Sequence, residues 1–304
     1  MKQEGVLKKP SFLRGALRLL IGIWTGAMAL SGCSKDAYVA QRPAYLSIDS
    51  VGMQTDYVSE GTASHRITTV WTEVNGQNQG VYELPALFPV LAEGSLAIRL
   101  DAGINENGTS STRSIHSFLE PVLSSAEFVP GDTVRLGTLQ TRYRANATVL
   151  KVEDFEGVGL NLVASSRSDT LLYRTSDSSL VFPFPGEPGT QSGVAFLSDA
   201  DVLFEVLTAD AYFLPIAQPV YLELNYWTDI PLVVGLEIRT SAQTIQVNTA
   251  TINPNTEWNK IYVNLQSEVS GYPGAIDYKV FLGGLNFEGR GAKRVLIDNL
   301  KLVF

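Results

Sequence analysis

From Ala44 to the C-terminus the chain contains no stretch of helical periodicity long enough for three turns. It is instead a succession of short, β-rich runs separated by Gly, Pro, Asn and Ser. Short strands, turn-rich joints and no amphipathic helix leave nothing to cover a parallel sheet, so the pattern predicts an all-β sandwich architecture.

The first such region spans residues 44–150. In Arg66–Val74, period-two alternation puts Ile67, Thr69, Trp71 and Glu73 on one face and Arg66, Thr68, Val70, Thr72 and Val74 on the other. Trp71 is read as a core residue. Asn75-Gly76 follows and supplies the positive φ values of a two-residue hairpin, with Gly80–Glu83 as the return strand. Pro85 and Pro89 argue against a central strand over Leu84–Val90. A strand is expected at Leu96–Leu100, followed by a polar loop over Asp101–Gly108. The second region, residues 151–304, carries strand-like runs that include Ser192–Leu197, Val202–Val206, Pro219–Tyr226, Leu232–Ile238, Trp258–Leu265, Tyr278–Leu282 and Leu296–Phe304. The short junction near Thr148–Lys151 predicts two units packed rigidly together.

The N-terminus has a different character. Lys8, Lys9, Arg14 and Arg18 precede an uncharged, mostly apolar run, Leu19–Leu30, that is short for a membrane span but suits a secretory signal. Leu30-Ser31-Gly32-Cys33 comes next, and Cys33 is the single cysteine of the chain. The segment resembles the lipobox of bacterial lipoproteins. The resemblance implies cleavage of residues 1–32 as a signal peptide, lipidation at Cys33 and a lipidated tether over 33–43. Ser34 rather than Asp after the cysteine implies, by the sorting habit of that family, the outer membrane of a Gram-negative envelope. Without residues 1–32 the formal net charge moves from −8 to −12, which argues against a nucleic-acid partner. One cysteine excludes an intramolecular disulfide framework and a multi-cysteine zinc site.

Two further resemblances concern the sandwiches. The strand, Asn-Gly turn, Gly80-x-Tyr82 and Leu91–Leu100 series resembles small immunoglobulin-like or transthyretin-like surface domains. Asp154-Phe155-Glu156-Gly157, Gly193–Phe196, Trp258–Leu265 and Ile297-Asp298-Asn299-Leu300 occur in the order found in jelly-roll carbohydrate-binding modules, and the second region resembles that galactose-binding-like family. The resemblance implies a structural calcium ion with Glu156 and Asp298 as side-chain ligands; a hard cation takes oxygen donors. Within Tyr221–Trp227, Tyr221, Glu223, Asn225 and Trp227 alternate onto one face, an aromatic–acid–amide–aromatic row suited to a shallow glycan platform.

Catalytic signals are sparse. His65 and His116 are far apart in sequence, read as surface or half-buried, and no Gly-x-Ser-x-Gly elbow, phosphate loop or His-Glu-x-x-His accompanies them. The expectation is a non-enzymatic, membrane-anchored binding module for glycan or glycosylated surface partners. The alternative is a structural or assembly lipoprotein that docks envelope protein partners through its sandwiches. Asp49-Ser50-Val51, Asp132-Thr133-Val134 and Asp169-Thr170-Leu171 also resemble the acceptor motif of an envelope O-glycosylation system.

Overall fold

The computed structural model describes residues 41–187, 189–287 and 291–304. Cys33, the signal-like segment and most of the expected tether lie outside the described residues. Residues 43–304 form one compact unit, built from two sandwiches.

The first sandwich comprises β1 (Ala44–Ile48), β2 (Ser50–Gln54), a single turn α1 (Tyr57–Glu60), β3 (Thr69–Val74), β4 (Gln77–Glu83), β5 (Ala86–Val90), β6 (Gly94–Asn105), β7 (Arg113–Ile115), β8 (Val122–Phe128), β9 (Thr133–Arg135) and β10 (Thr138–Arg142). One layer has β1 between antiparallel β5 and parallel β9, and is continued by the parallel pair β2–β10. The other runs β4-β3-β6-β7, with β8 also paired to β6. Alternation along β1 and β5 buries Ala44, Leu46, Ile48, Ala86, Phe88 and Val90, and these meet Val70, Ile98, Leu100 and Phe128 from the facing layer. The proline-bearing β5 stands at a sheet edge, where a missing N–H costs no ladder bond.

Two local expectations change. The core face of β3 is that of Val70, Thr72 and Val74, while Trp71 is half-buried on the opposite face. The Trp71 ring lies against Gly103, where an added Cβ would fall 2.3 Å from it. For the same reason β6 does not stop at Leu100. Ala102 and Ile104 are buried and Gly103 pairs with Thr69, so the strand runs on to Asn105.

The second sandwich comprises β11 (Val149–Glu153), β12 (Leu162–Ala164), β13 (Tyr173–Thr175), β14 (Ser192–Leu197), β15 (Leu203–Thr208), β16 (Tyr221–Thr228), β17 (Leu232–Thr240), β18 (Thr244–Ile252), β19 (Asn259–Asn264), a short helix α2 (Gln266–Gly271), β20 (Ala275–Leu285) and β21 (Lys293–Val303). A six-stranded sheet has the order β13-β14-β21-β16-β19 with β11 also on β21, and it faces a five-stranded sheet β12-β15-β20-β17-β18. The chain passes back and forth between the two sheets, as in a jelly roll. Leu222, Leu224, Ile261, Val263, Val295 and Ile297 from one sheet pack on Phe204, Val206, Val234, Leu236, Val280 and Leu282 from the other. Phe155, at φ 58° and fully buried, lays its ring on Gly193, where a Cβ would sit 2.4 Å away.

The sandwiches share more than a junction. The expected boundary at 150/151 falls inside β11, which pairs with β21. Thr148 and Phe304 exchange backbone hydrogen bonds of 2.6 and 3.0 Å, and fully buried Val303 belongs to the core of the first sandwich although its strand is central to the second. Val303→Ala is therefore expected to cost about 2 kcal/mol and to shift one cooperative denaturant transition seen by both Trp71 and Trp258 fluorescence. Two transitions of which only one moves would disprove this coupling.

Candidate functional site

The face of β16 read as a glycan platform is covered by the first sandwich. Tyr221, Glu223 and Asn225 are only 2%, 1% and 1% exposed. Trp227 is half-buried, and the Arg294 guanidinium lies 4.4 Å from its ring centre. The outward side of the alternation is an internal interface, so Tyr221, Glu223 and Asn225 are not open to a sugar.

A buried polar network occupies that interface. Glu223 Oε1 accepts from the Tyr143 hydroxyl at 3.0 Å and lies 3.3 Å from His116 Nε2. Lys260 Nζ stands 3.0 Å from Glu223 Oε2 as a close ion pair, without the alignment of a hydrogen bond. His116, read from sequence as surface or half-buried, is fully buried. Its Nδ1 accepts from the Phe118 N–H, which assigns the ring proton to Nε2, facing Glu223. Burial alone would raise the Glu223 pKa, but Lys260, His116 and Lys301 together hold it below the ordinary carboxylate value. Lys301 is pushed down to about 7 by burial and by repulsion from Lys260, and its Nζ donates to the Thr62 carbonyl at 2.6 Å. Around this centre, Tyr221 donates to Glu106 at 2.7 Å and Asn225 Nδ2 donates to Ser64 at 2.9 Å.

At the opposite corner, Glu156 and Asp298 are near neighbours, but their oxygens are already engaged. Glu156 accepts from the Thr190 and Gln191 N–H groups at 2.6 and 2.7 Å. Asp298 accepts from Ser192 Oγ at 2.5 Å and from the Asn299 N–H at 2.7 Å. Among the described residues no three His, Cys, Asp or Glu side chains converge as a metal centre. Calcium takes six to eight oxygens, more than the four of this pair. The same arrangement raises the Asp298 pKa to about 8, through burial first and then through the charges of Glu156 and Asp154.

A third feature was not legible as a site in the sequence. A cleft of about 190 Å³ opens beside the buried network, lined among others by Arg66, Asn105, Asn107, Tyr226, Asn253 and Asn259. Asn259 organises it: its Oδ1 accepts from the Arg66 guanidinium and its Nδ2 reaches the Tyr226 hydroxyl at 3.5 Å. Asn105 Oδ1 is buried without a partner. These residues come from five separated segments, so no spacing rule connects them. From β16 the cleft takes Tyr226, which belongs to the face read as core and not to the row read as a platform.

No protein-family model matches the chain, and no curated protein matches it. Solved structures similar to it include a carbohydrate-binding module of the β-sandwich superfamily, described for promiscuous specificity, at TM-score 0.35 and 10% identity, covering 77% of this chain and 83% of that one. The CBM22-1–GH10 modules of xylanase 10B from Clostridium thermocellum give TM-score 0.36 and 12% identity, with 50% and 28% covered. The CBM22-2 xylan-binding domain of Paenibacillus barcinonensis Xyn10C gives 0.35 and 14%, with 49% and 96% covered. At these TM-scores the likeness assigns no ligand, and the fold rests on the strands described above.

Two outcomes follow from the charges. Glu223→Gln leaves Lys260 buried without an anion and is expected to destabilise the protein by about 3–5 kcal/mol, read by urea denaturation; a loss under 1 kcal/mol would show the network to be incidental. Asp298 binds its proton more tightly when folded than when unfolded, so it lowers stability as pH rises from about 4 to about 8. Asp298→Asn is expected to flatten that decline and to raise Tm at pH 7.5. A calcium-induced rise in Tm that this substitution abolishes would instead place the expected ion at this corner.

Proposed function

We propose that this protein is a non-catalytic glycan-binding module, lipid-anchored through Cys33 to the outer membrane, with its ligand held in the cleft between the two sandwiches. The observation that carries the reading is the chemistry of the cleft. Side-chain amides present a donor and an acceptor together, which suits adjacent sugar hydroxyls, and Tyr226 offers an aromatic wall with a polar tip. The volume of about 190 Å³ is below the roughly 300–1,000 Å³ of drug-sized pockets and suits one sugar unit of a chain or a chain end. The lipobox supports the anchor, since several acyl chains give firm attachment.

A second reading, an assembly subunit, draws support from β18. Its nine residues, Thr244–Ile252, carry no charge and pair on one side only, at the edge of the five-stranded sheet. Such an edge is a template for another strand.

A glycan array probed with the detergent-solubilised full chain distinguishes the two. Specific binding that weakens about five- to tenfold in Asn253→Ala and in Tyr226→Phe, each removing one hydrogen-bonding group, is the expected result. No binding to any glycan, or binding indifferent to both substitutions, would overturn the first reading in favour of the second.

A further inference from the structure

The charges around the cleft are one-sided. The chain carries 31 acidic against 23 basic residues, yet the residues lining the cleft include Arg66 and Lys260 and no Asp or Glu. Lys260 is 4% exposed and already faces Glu223. Behind that wall stand Lys301, His116 and Tyr143, and Glu223 is the carboxylate that acts on both lysines, with Glu187 and Glu60 also acting on Lys301. Glu106, between the lining residues Asn105 and Asn107 in sequence, is occupied by Tyr221, Ser114 and Asn264.

Arg66 is the arginine of the cleft lining. Elsewhere in the unit Arg99, Arg113, Arg142, Arg167, Arg239 and Arg294 each pair with a carboxylate. Among the described residues Arg66 pairs with none, and neither do Arg42, Arg135, Arg144 and Arg174, but of these five Arg66 alone lines the cleft. It is nevertheless held in place. The Tyr262 hydroxyl accepts from its backbone N–H at 3.0 Å, and Asn259 Oδ1 accepts from one guanidinium nitrogen. A guanidinium fixed by one edge, with its remaining donors at a cleft and no internal acid, is arranged for a carboxylate brought by a ligand.

Resting on the glycan reading above, we propose that the cleft is selective for a carboxylated saccharide: a uronate-type unit whose carboxylate is taken by Arg66 and whose hydroxyls meet Asn105, Asn253 and Asn259. Lys260 adds positive potential from behind, and salt is expected to weaken the contact.

The test compares oligogalacturonate and oligoglucuronate with their carboxyl-reduced, neutral counterparts, by calorimetry with the full chain in detergent at low and high salt. The expected result is at least tenfold tighter binding of a uronate than of its reduced form, a preference lost in Arg66→Gln and reduced in Arg66→Lys, which keeps the charge but not the fork. Thermal melts of both variants, expected to match the parent, separate loss of contact from loss of fold; if Arg66→Gln melts early, the uronate-to-neutral ratio of Arg66→Lys decides. Equal or tighter binding of the neutral forms overturns the proposal and leaves the glycan reading standing. A preference for sulfated over carboxylated sugars overturns the carboxylate assignment. No saccharide binding at all overturns both.

Discussion

A carboxylate taken out of water must be compensated on every side, and Glu223 meets that requirement only because two sandwiches close around it. Its own sandwich supplies Lys260 and Lys301, and the other supplies His116 and Tyr143. Neither half completes the set alone. Polar interfaces of this kind specify orientation more than they add stability, since a shifted docking would strand a charge. The relative placement of the two sandwiches, and with it the shape of the cleft at their margin, follows from that constraint.

The cleft inherits its character from this neighbour. Lys260 and Tyr262 turn one side of β19 toward the interface, while Asn259 at the strand's beginning ties Arg66 of the first sandwich to Tyr226 of the second. The amides that remain are held on strands and tight turns. Preorganisation of this sort lowers the ordering cost of binding a flexible, hydroxylated ligand.

The strands were legible because alternation and turn chemistry are local: Asn75-Gly76 takes the positive φ values of a hairpin, and Pro89 of β5 marks an edge. What escaped was long-range. The row Tyr221, Glu223, Asn225 and Trp227 does share a face, but nothing within β16 records that residues from β6, His116 and Tyr143 will cover it. His116 looked isolated because its partner Glu223 is distant in sequence. The extension of β6 depended on Trp71 lying across Gly103, a contact between strands. The cleft assembles from loops and strand ends whose only common signal, a scatter of asparagines with one arginine, has no period to detect. Lys260 was the nearest thing to a clue, a cation whose strand neighbours Ile261 and Val263 face the core.

The reciprocal pairing of Thr148 with Phe304, and the burial of Val303 in the first core, place residues of the last described strand inside the first sandwich. On a ribosome, domains generally fold as units from the N-terminus. Here the first sandwich lacks a core residue until Val303 has been made. Completion of the first core is therefore bound to synthesis of β21, which makes the two sandwiches a single folding unit although each has its own pair of sheets.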